Sequence, residues 1–310
     1  MTTLAVRDAG RALAEGHLVA FPTETVFGLG ADATNPAAVA RIFAVKGRPS
    51  DHPLIVHVSA LERVGELVDH VPPYAEALAR EYWPGPVTLI LQRSSTVPDA
   101  VTGGQSSVGV RVPSHPIALD LLREFDKHGG RGVAAPSANR FGRVSPTSAD
   151  AVRDELGGLL GPDDVVLDGS PSAVGIESTI VDCTGPAPAI LRPGAITAAM
   201  VEAATGLTLG EPASMMRVSG SLPSHYAPEA RVVLDEKPRA GDGLIALRHH
   251  ETPPGVVRLA EPATAEEYAR QLYAALRAAD DRGLVRVVAF TPGEQGIAVA
   301  IRDRLERAAH

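Results

Sequence analysis

The side chains able to do chemistry in this chain gather in a few short stretches. Pro22-Thr-Glu-Thr-Val-Phe-Gly-Leu-Gly30 sets one carboxylate, Glu24, between two hydroxyls, Thr23 and Thr25, and closes on two glycines. Glycines let backbone N–H groups approach an anion, so a strand, a tight loop of this kind and a helix would suit phosphate. No Gly-Lys-Ser/Thr closes the loop and G-x-G-x-x-G is absent, which excludes the two common nucleotide fingerprints. A plain turn whose Thr and Glu satisfy local backbone groups is the competing reading. The second stretch is cationic, Lys46-Gly-Arg-Pro-Ser-Asp-His-Pro53. Pro49 and Pro53 interrupt regular structure and place Lys46, Arg48, Ser50 and His52 on an irregular, exposed loop. Lys as a point charge beside Arg as a planar fork suits a polyanion. Cations at a helix C-terminus would explain Lys46 equally well, though Arg48 less so.

Further polar residues punctuate apolar runs. His57 interrupts Leu54-Ile-Val-His-Val58, where a hydrogen-bonded core histidine is the plainer alternative. Arg111 lies inside Val108-Gly-Val-Arg-Val112, just after Ser107, and if it faces inward it needs an anionic partner, because an unpaired buried charge is costly. Val133-Ala-Ala runs into Pro136-Ser-Ala-Asn139, bringing Ala135, Ser137 and Asn139 to a strand end, with Ser145 beyond. Ser178 and Thr179 open another strand, and Arg192 closes Ala189-Ile-Leu-Arg.

The elements that must position these groups alternate. Helical periodicity covers 4–16, 60–70, 74–82, 116–125 and 147–156, and Asn35-Pro36 makes an N-cap and first-turn pair. Short apolar strands fall between them, so an α/β sheet with its polar residues at strand ends is expected. From 205 to 230 Gly, Pro, Ser and Met dominate, ending in His225-Tyr226-Ala-Pro228; this reads as a linker. Beyond it, strands at 231–234, 243–247 and 287–290 and helices at 263–279 and 294–308 predict a small second α/β domain. The organisation is thus 1–204, a linker at 205–230, and 231–310.

Composition narrows the classes. With 310 residues, 45% hydrophobic and 21% charged, the chain can bury a sizeable core. No apolar run approaches the roughly 18 residues of a membrane helix, and the first residues carry no signal-peptide pattern. Cys183 is the one cysteine, which excludes a disulfide framework and a multi-cysteine zinc site and fits a cytoplasmic location. A net charge of −8 argues against a protein built mainly to grip nucleic acid. Lysine occurs only at Lys46, Lys127 and Lys237 among many arginines, which singles out Lys46.

Together the motifs resemble the YrdC-like threonylcarbamoyl-adenylate synthases in their long form with a C-terminal extra domain. The matching pieces are Pro22-Thr-Glu-Thr-Val-Phe-Gly-Leu-Gly30, Lys46-Gly-Arg-Pro, Pro53-Leu-Ile-Val-His57, Trp83-Pro-Gly-Pro-Val-Thr88, Val110-Arg-Val-Pro113, Pro136-Ser-Ala-Asn139, Ser178-Thr-Ile-Val-Asp182, Leu191-Arg-Pro-Gly194 and His225-Tyr-Ala-Pro228. The resemblance implies a highly twisted mixed-sheet catalytic domain plus a small Rossmann-like α/β domain. It implies that L-threonine, bicarbonate and ATP give threonylcarbamoyl-adenylate and pyrophosphate, with Mg2+ on the ATP, for threonylcarbamoyladenosine formation beside the tRNA anticodon by downstream modification proteins. It places threonine on Thr25, His57, Arg111, Ala135 and Ser178. The nucleotide falls to Lys46, Arg48, His52, Ser107, Ser137, Asn139, Ser145, Arg192 and Tyr226, with Lys46 and Arg48 the catalytic pair. Phe27 stands where the family often has tyrosine, and the linker lacks the lysine that long-form members often carry. Two rivals remain: a tRNA- or double-stranded-RNA-binding module without catalysis, which the acidic balance disfavours, and another carbamoyl- or adenylyl-transfer enzyme on the same fold. Tyr226 makes the linker a candidate lid, since its ring can pack on a ligand while its hydroxyl hydrogen-bonds.

Overall fold

The computed structural model describes residues 3–212, 217–218 and 226–310. Strands β1 (Val19–Phe21), β2 (Gly28–Asp32), β3 (Ile55–His57), β4 (Val87–Gln92), β5 (Ser107–Arg111), β6 (Val133–Ala134), β7 (Val165–Val166), β8 (Thr179–Asp182) and β9 (Ala189–Arg192) form one mixed sheet in the order β7-β1-β2-β6-β3-β5-β4-β8-β9. The pairs β1/β7, β3/β5 and β4/β8 are parallel and the other neighbours antiparallel. Helices α1 (Leu4–Ala14), α2 (Pro36–Lys46), α3 (Pro73–Tyr82), α4 (Asp99–Thr102), α5 (Pro116–Lys127), α6 (Ala149–Leu156) and α7 (Ala198–Thr205) connect or follow them. A second, all-parallel sheet has the order β10-β13-β11-β12, built from β10 (Arg231–Leu234), β11 (Gly243–Ile245), β12 (Val257–Ala260) and β13 (Arg286–Ala289), with α8 (Ala265–Asp281) and α9 (Ala298–Ala309).

Local sequence explains the elements that carry the site. The Asn35 side chain accepts from Ala37 N and Ala38 N at 3.1 and 3.2 Å, Pro36 opens α2, and Gly47 ends it in the left-handed region at φ 61°. In the central strands side chains alternate between faces. Val56, Leu89, Leu91, Val108, Val110 and Val181 join the main core. Ile55, His57, Gly109 and Arg111 therefore share the opposite face, and His57 is in register with Arg111 across the β3/β5 pair.

Three expectations need correction. The Phe21–Gly30 stretch is not strand, loop and helix: β1 and β2 pair as antiparallel neighbours, and both glycines lie in β2. A Cβ on Gly30 would stand 2.6 Å from Val133 Cγ1 and 2.9 Å from the Phe21 ring, so close packing, not anion approach, explains glycine there. Lys46 and Arg48 are not exposed. Lys46 is the last residue of α2 and both side chains are buried, whereas Ser50 is exposed. The 60–70 segment forms only a 3₁₀ turn, Leu61–Glu66. The sequence patterns also did not announce β12, α4 or α7.

Candidate active site

A partly open pocket lies against the Ile55/His57/Arg111 face. Its lining brings together Thr25, His57, Arg111, Ala135 and Ser178, the five residues expected for threonine, with Arg48, Ser137, Arg192 and Tyr226 from the nucleotide set. Loop 22–27 supplies Thr25, β3 and β5 supply His57 and Arg111, the chain after β6 supplies Ala135 and Ser137, and β8 and β9 position Ser178 and Arg192.

Arg111 has an internal anionic partner, Glu24. Its Nη2 donates to Glu24 Oε1 at 2.5 Å, its Nη1 to Thr25 Oγ1 at 2.9 Å and its Nε to Gly85 O at 3.2 Å. The other Glu24 oxygen accepts from Ser114 N at 3.0 Å. The Thr25 hydroxyl lies 2.8 Å from that of Thr23, which donates to Val26 O at 2.6 Å. Loop 22–27 is thus tied to itself and to β5 before any ligand enters. His57 is buried beside this pair; burial and the positive Arg111 lower its pKa to about 3, which keeps the ring neutral. Its Nδ1 has no hydrogen-bond partner among the described residues.

The expected nucleotide set brings two cations to the same lining, Arg48 and Arg192. Arg48 Nη2 donates to Pro53 O at 3.0 Å, and its guanidinium lies 5.9 Å from the centre of the Phe141 ring. Burial, with Arg192 nearby, lowers its pKa to about 10 despite Tyr226 and Asp51, which raise it. Arg192 donates through Nε and Nη2 to Ser178 O at 3.1 and 2.9 Å, and through Nη2 to Ser178 Oγ at 3.1 Å. Ser178 Oγ is 2.8 Å from Thr88 Oγ1, so one serine is held from two strands.

The other expected residues lie around the cavity rather than on its wall. Lys46 Nζ donates to Ser137 O at 2.6 Å and to Asn139 O, and Asn139 Nδ2 donates to Arg140 O and Arg143 O at 2.7 and 2.8 Å. These contacts brace the Pro136–Asn139 loop. Burial, reinforced by Arg48, pushes the Lys46 pKa well down. The His52 ring meets Phe141 edge-on at 5.4 Å. Ser107 lines a smaller neighbouring cavity with Ile55, Ile90, Gly109, Ile180, Arg217 and Val218. Ser145 Oγ donates to Glu177 Oε1 at 2.7 Å.

Sequence reasoning missed Glu177, Tyr273 and Arg304. Glu177 lines the cavity, and its Oε2 accepts from Tyr273 Oη and Arg304 Nε, both at 2.8 Å. Although burial alone would raise its pKa, Arg304 and then Arg192 hold the carboxyl at about 2. Arg304 comes from α9 and has no solvent-exposed side-chain surface; it also donates to Pro193 O at 3.0 Å and lies 5.4 Å from the centre of the Tyr226 ring. Tyr226 stacks on Tyr273 at 5.7 Å and sits at φ 62°, a conformation unusual for a bulky residue and held here by its neighbours. Two signals were available. Glu177 directly precedes Ser178, and Arg304 interrupts the apolar face of α9 formed by Ile301, Leu305 and Ala308. His225 and most of the linker motif before it lie outside the described residues. Arg217 and Val218 are described: Arg217 bonds Asp51 at 3.0 Å and Gly103 O at 2.9 Å, and Val218 packs with Ile90 and Ile180.

Known proteins match nearly the whole chain. Residues 11–194 match the Sua5–YciO–YrdC family, described as telomere recombination, and residues 196–310 match the family described as threonylcarbamoyl-AMP synthase, C-terminal domain. The threonylcarbamoyl-AMP synthase of Pyrococcus abyssi is 39% identical over 98% of this chain and 93% of its own length. That of Bacillus subtilis is 36% identical over 98% and 92%. The crystal structure of P. abyssi Sua5 complexed with L-threonine superposes with a TM-score of 0.87 at 38% identity, covering 98% of this chain and 94% of that one.

Proposed function

We infer the reaction from one premise: the chain belongs to the threonylcarbamoyl-AMP synthase family, with both of that family's domains present. It is an enzyme that makes threonylcarbamoyl-AMP, and its product serves tRNA threonylcarbamoylation. The finer reading is that L-threonine, bicarbonate and ATP are its substrates and pyrophosphate its second product. The observation that carries it is the single cavity joining the Thr25–His57–Arg111–Ala135–Ser178 cluster to Arg48, Ser137, Arg192 and Tyr226.

In this reading the threonine amine takes up bicarbonate, losing water, to form a carbamate. A carbamate oxygen then attacks the α-phosphorus of ATP, and the bond to pyrophosphate breaks. Arg111 and the Thr25 hydroxyl meet the amino acid's polar groups, and neutral His57 with Ala135 walls its side chain. Arg48 and Arg192 face the charge that develops on the phosphates. Lys46 acts by placing the Ser137–Asn139 backbone, two of its three donors being spent on carbonyls. No covalent nucleophile is required; holding the reactants in line supplies much of the rate. Tyr226 closes the nucleotide side, the linker acts as a lid that excludes water, and the setting is cytoplasmic.

The described residues contain no group of three or more His, Cys, Asp or Glu able to hold a metal, and Glu24 and Glu177 are both bonded to arginines. They do not form a dedicated magnesium site, so no step is assigned to a protein-bound metal. Magnesium would arrive on the triphosphate, ligated by its oxygens and water.

The test is mass spectrometry of the products formed from ATP, bicarbonate and threonine. A threonylcarbamoyl-adenylate mass is expected, with pyrophosphate release that requires both threonine and bicarbonate. Serine should be the poorer substrate, because the pocket loses a methyl group worth about 0.8 kcal/mol. Pyrophosphate release indifferent to threonine would refute the reading, and salt-sensitive RNA binding without ATP turnover would replace it with a binding module.

A further inference from the structure

We propose that Arg304, reaching in from the second domain, masks the charge of Glu177 and so makes the nucleotide half of the cavity acceptable to a polyanion. The inference rests on the reading that ATP occupies the side lined by Arg48, Ser137, Arg192 and Tyr226.

Glu177 is the only carboxylate among the described residues lining the cavity. A carboxylate beside a triphosphate is an electrostatic fault unless something balances it, because like charges in a partly desolvated site repel strongly. Its hydrogen bonds identify what does so. Oε1 accepts from Ser145 and Oε2 accepts from Tyr273 and Arg304, so both oxygens are committed and neither is set to ligate an ion. Of these three donors only Arg304 carries charge. Its side chain is fully buried, and Pro193 O and the neighbouring Asp303 fix it from its other nitrogens. The Tyr226 ring, beside the guanidinium and stacked on Tyr273, completes the packing. Arg304 and Tyr273 both belong to the second domain, in α9 and α8. That domain therefore acts on the first domain's site through a charge. Arg304 is a positioning residue, because it does not line the cavity and reaches the nucleotide through Glu177 and the Tyr226 ring.

The experiment is calorimetric titration of ATP and, separately, of threonine into the full-length parent, Arg304→Gln, Glu177→Gln and the double variant, with circular dichroism to check folding. Arg304→Gln should raise the Kd for ATP at least 10-fold while the Kd for threonine changes less than 3-fold. Glu177→Gln, which leaves the Arg304 cation facing the site, should lower the Kd for ATP about 3-fold or more. The double variant should recover at least 5-fold of the loss seen in Arg304→Gln. A purely structural role would weaken both ligands together and give no recovery. If Arg304→Gln does not fold, Glu177→Gln decides: unchanged or weaker ATP binding overturns the proposal. A parent that binds threonine but no ATP would instead sink the functional reading beneath it.

Discussion

At the scale of single residues, the two halves of the cavity should separate by ligand. Arg111 lies in β5 beside His57 and Thr25, whereas Arg48 follows α2 and stands near Arg192 and Tyr226. Arg111→Gln should therefore weaken threonine binding at least 10-fold and leave ATP within about 3-fold, and Arg48→Gln should do the reverse. Separate titrations of each ligand check this, and equal losses of both ligands in both folded variants would break the assignment. Arg111→Gln carries a further cost, since it strands Glu24 in a buried site; removing one partner of such a pair typically costs about 3–5 kcal/mol. Apolar runs singled out His57 and Arg111, but the grouping of Thr25, His57, Arg111, Ala135 and Ser178 came from the family resemblance of the motifs. What was not legible is how charges are shared. Arg111 was expected to need an anion, but its nearest one is Glu24, in the loop between β1 and β2 and 87 residues away in the chain, and no local pattern announces that pairing. Lys46 was misplaced for a related reason: a lysine beside prolines reads as exposed, yet two carbonyls from residues 137 and 139 satisfy its ammonium after burial.

At the scale of elements, hydrophobic period and caps located most helices and strands, and the errors fell where a residue's type served packing instead of its usual local role. Gly28 and Gly30 look like an anion-binding loop in sequence, but they are strand residues across which Phe21 and Val133 approach. The short β12 and α4 escaped because so few residues give no period to count. The Gly30 reading has a direct test. Gly30→Ala places a methyl 2.6 Å from Val133 Cγ1, which should destabilise the protein by about 1–3 kcal/mol in urea unfolding. Adding Val133→Ala removes the obstructing methyl and should return part of that stability despite its own cavity cost. If Gly30→Ala is neutral, or if the double variant is simply additive, the close-packing account fails.

At the scale of the whole molecule, the second α/β unit is more than an appendage on a tether. Val26, Val144 and Ile176 from the first unit share one apolar cluster with Tyr226, Tyr268, Leu272, Tyr273, Leu276, Ile301 and Leu305. A Cβ on Gly175 would strike the α8 backbone at Ala269 and Arg270, so the contact is close. Around this cluster Arg277 bonds Glu155 at 2.8 Å and Arg304 bonds Glu177 at 2.8 Å. An apolar contact with one buried and one half-buried ion pair couples the two units, and they should unfold together in one calorimetric transition at neutral pH. Ile176→Ala removes buried surface from the shared cluster and should cost about 2–5 kcal/mol without splitting that transition at first. Acid should weaken the same junction. Glu177 is held near pKa 2 against an ordinary value of 4.5, so the unfolded chain binds the extra proton between those values. Its stabilising contribution is fully present above about pH 4.5 and is lost as pH falls through about 2. The urea midpoint of the parent should therefore drop between pH 5 and pH 3 more steeply than that of Glu177→Gln. Two separate transitions at pH 7, together with identical acid slopes in parent and variant, would mean that the units fold apart and that Glu177 does not lock them.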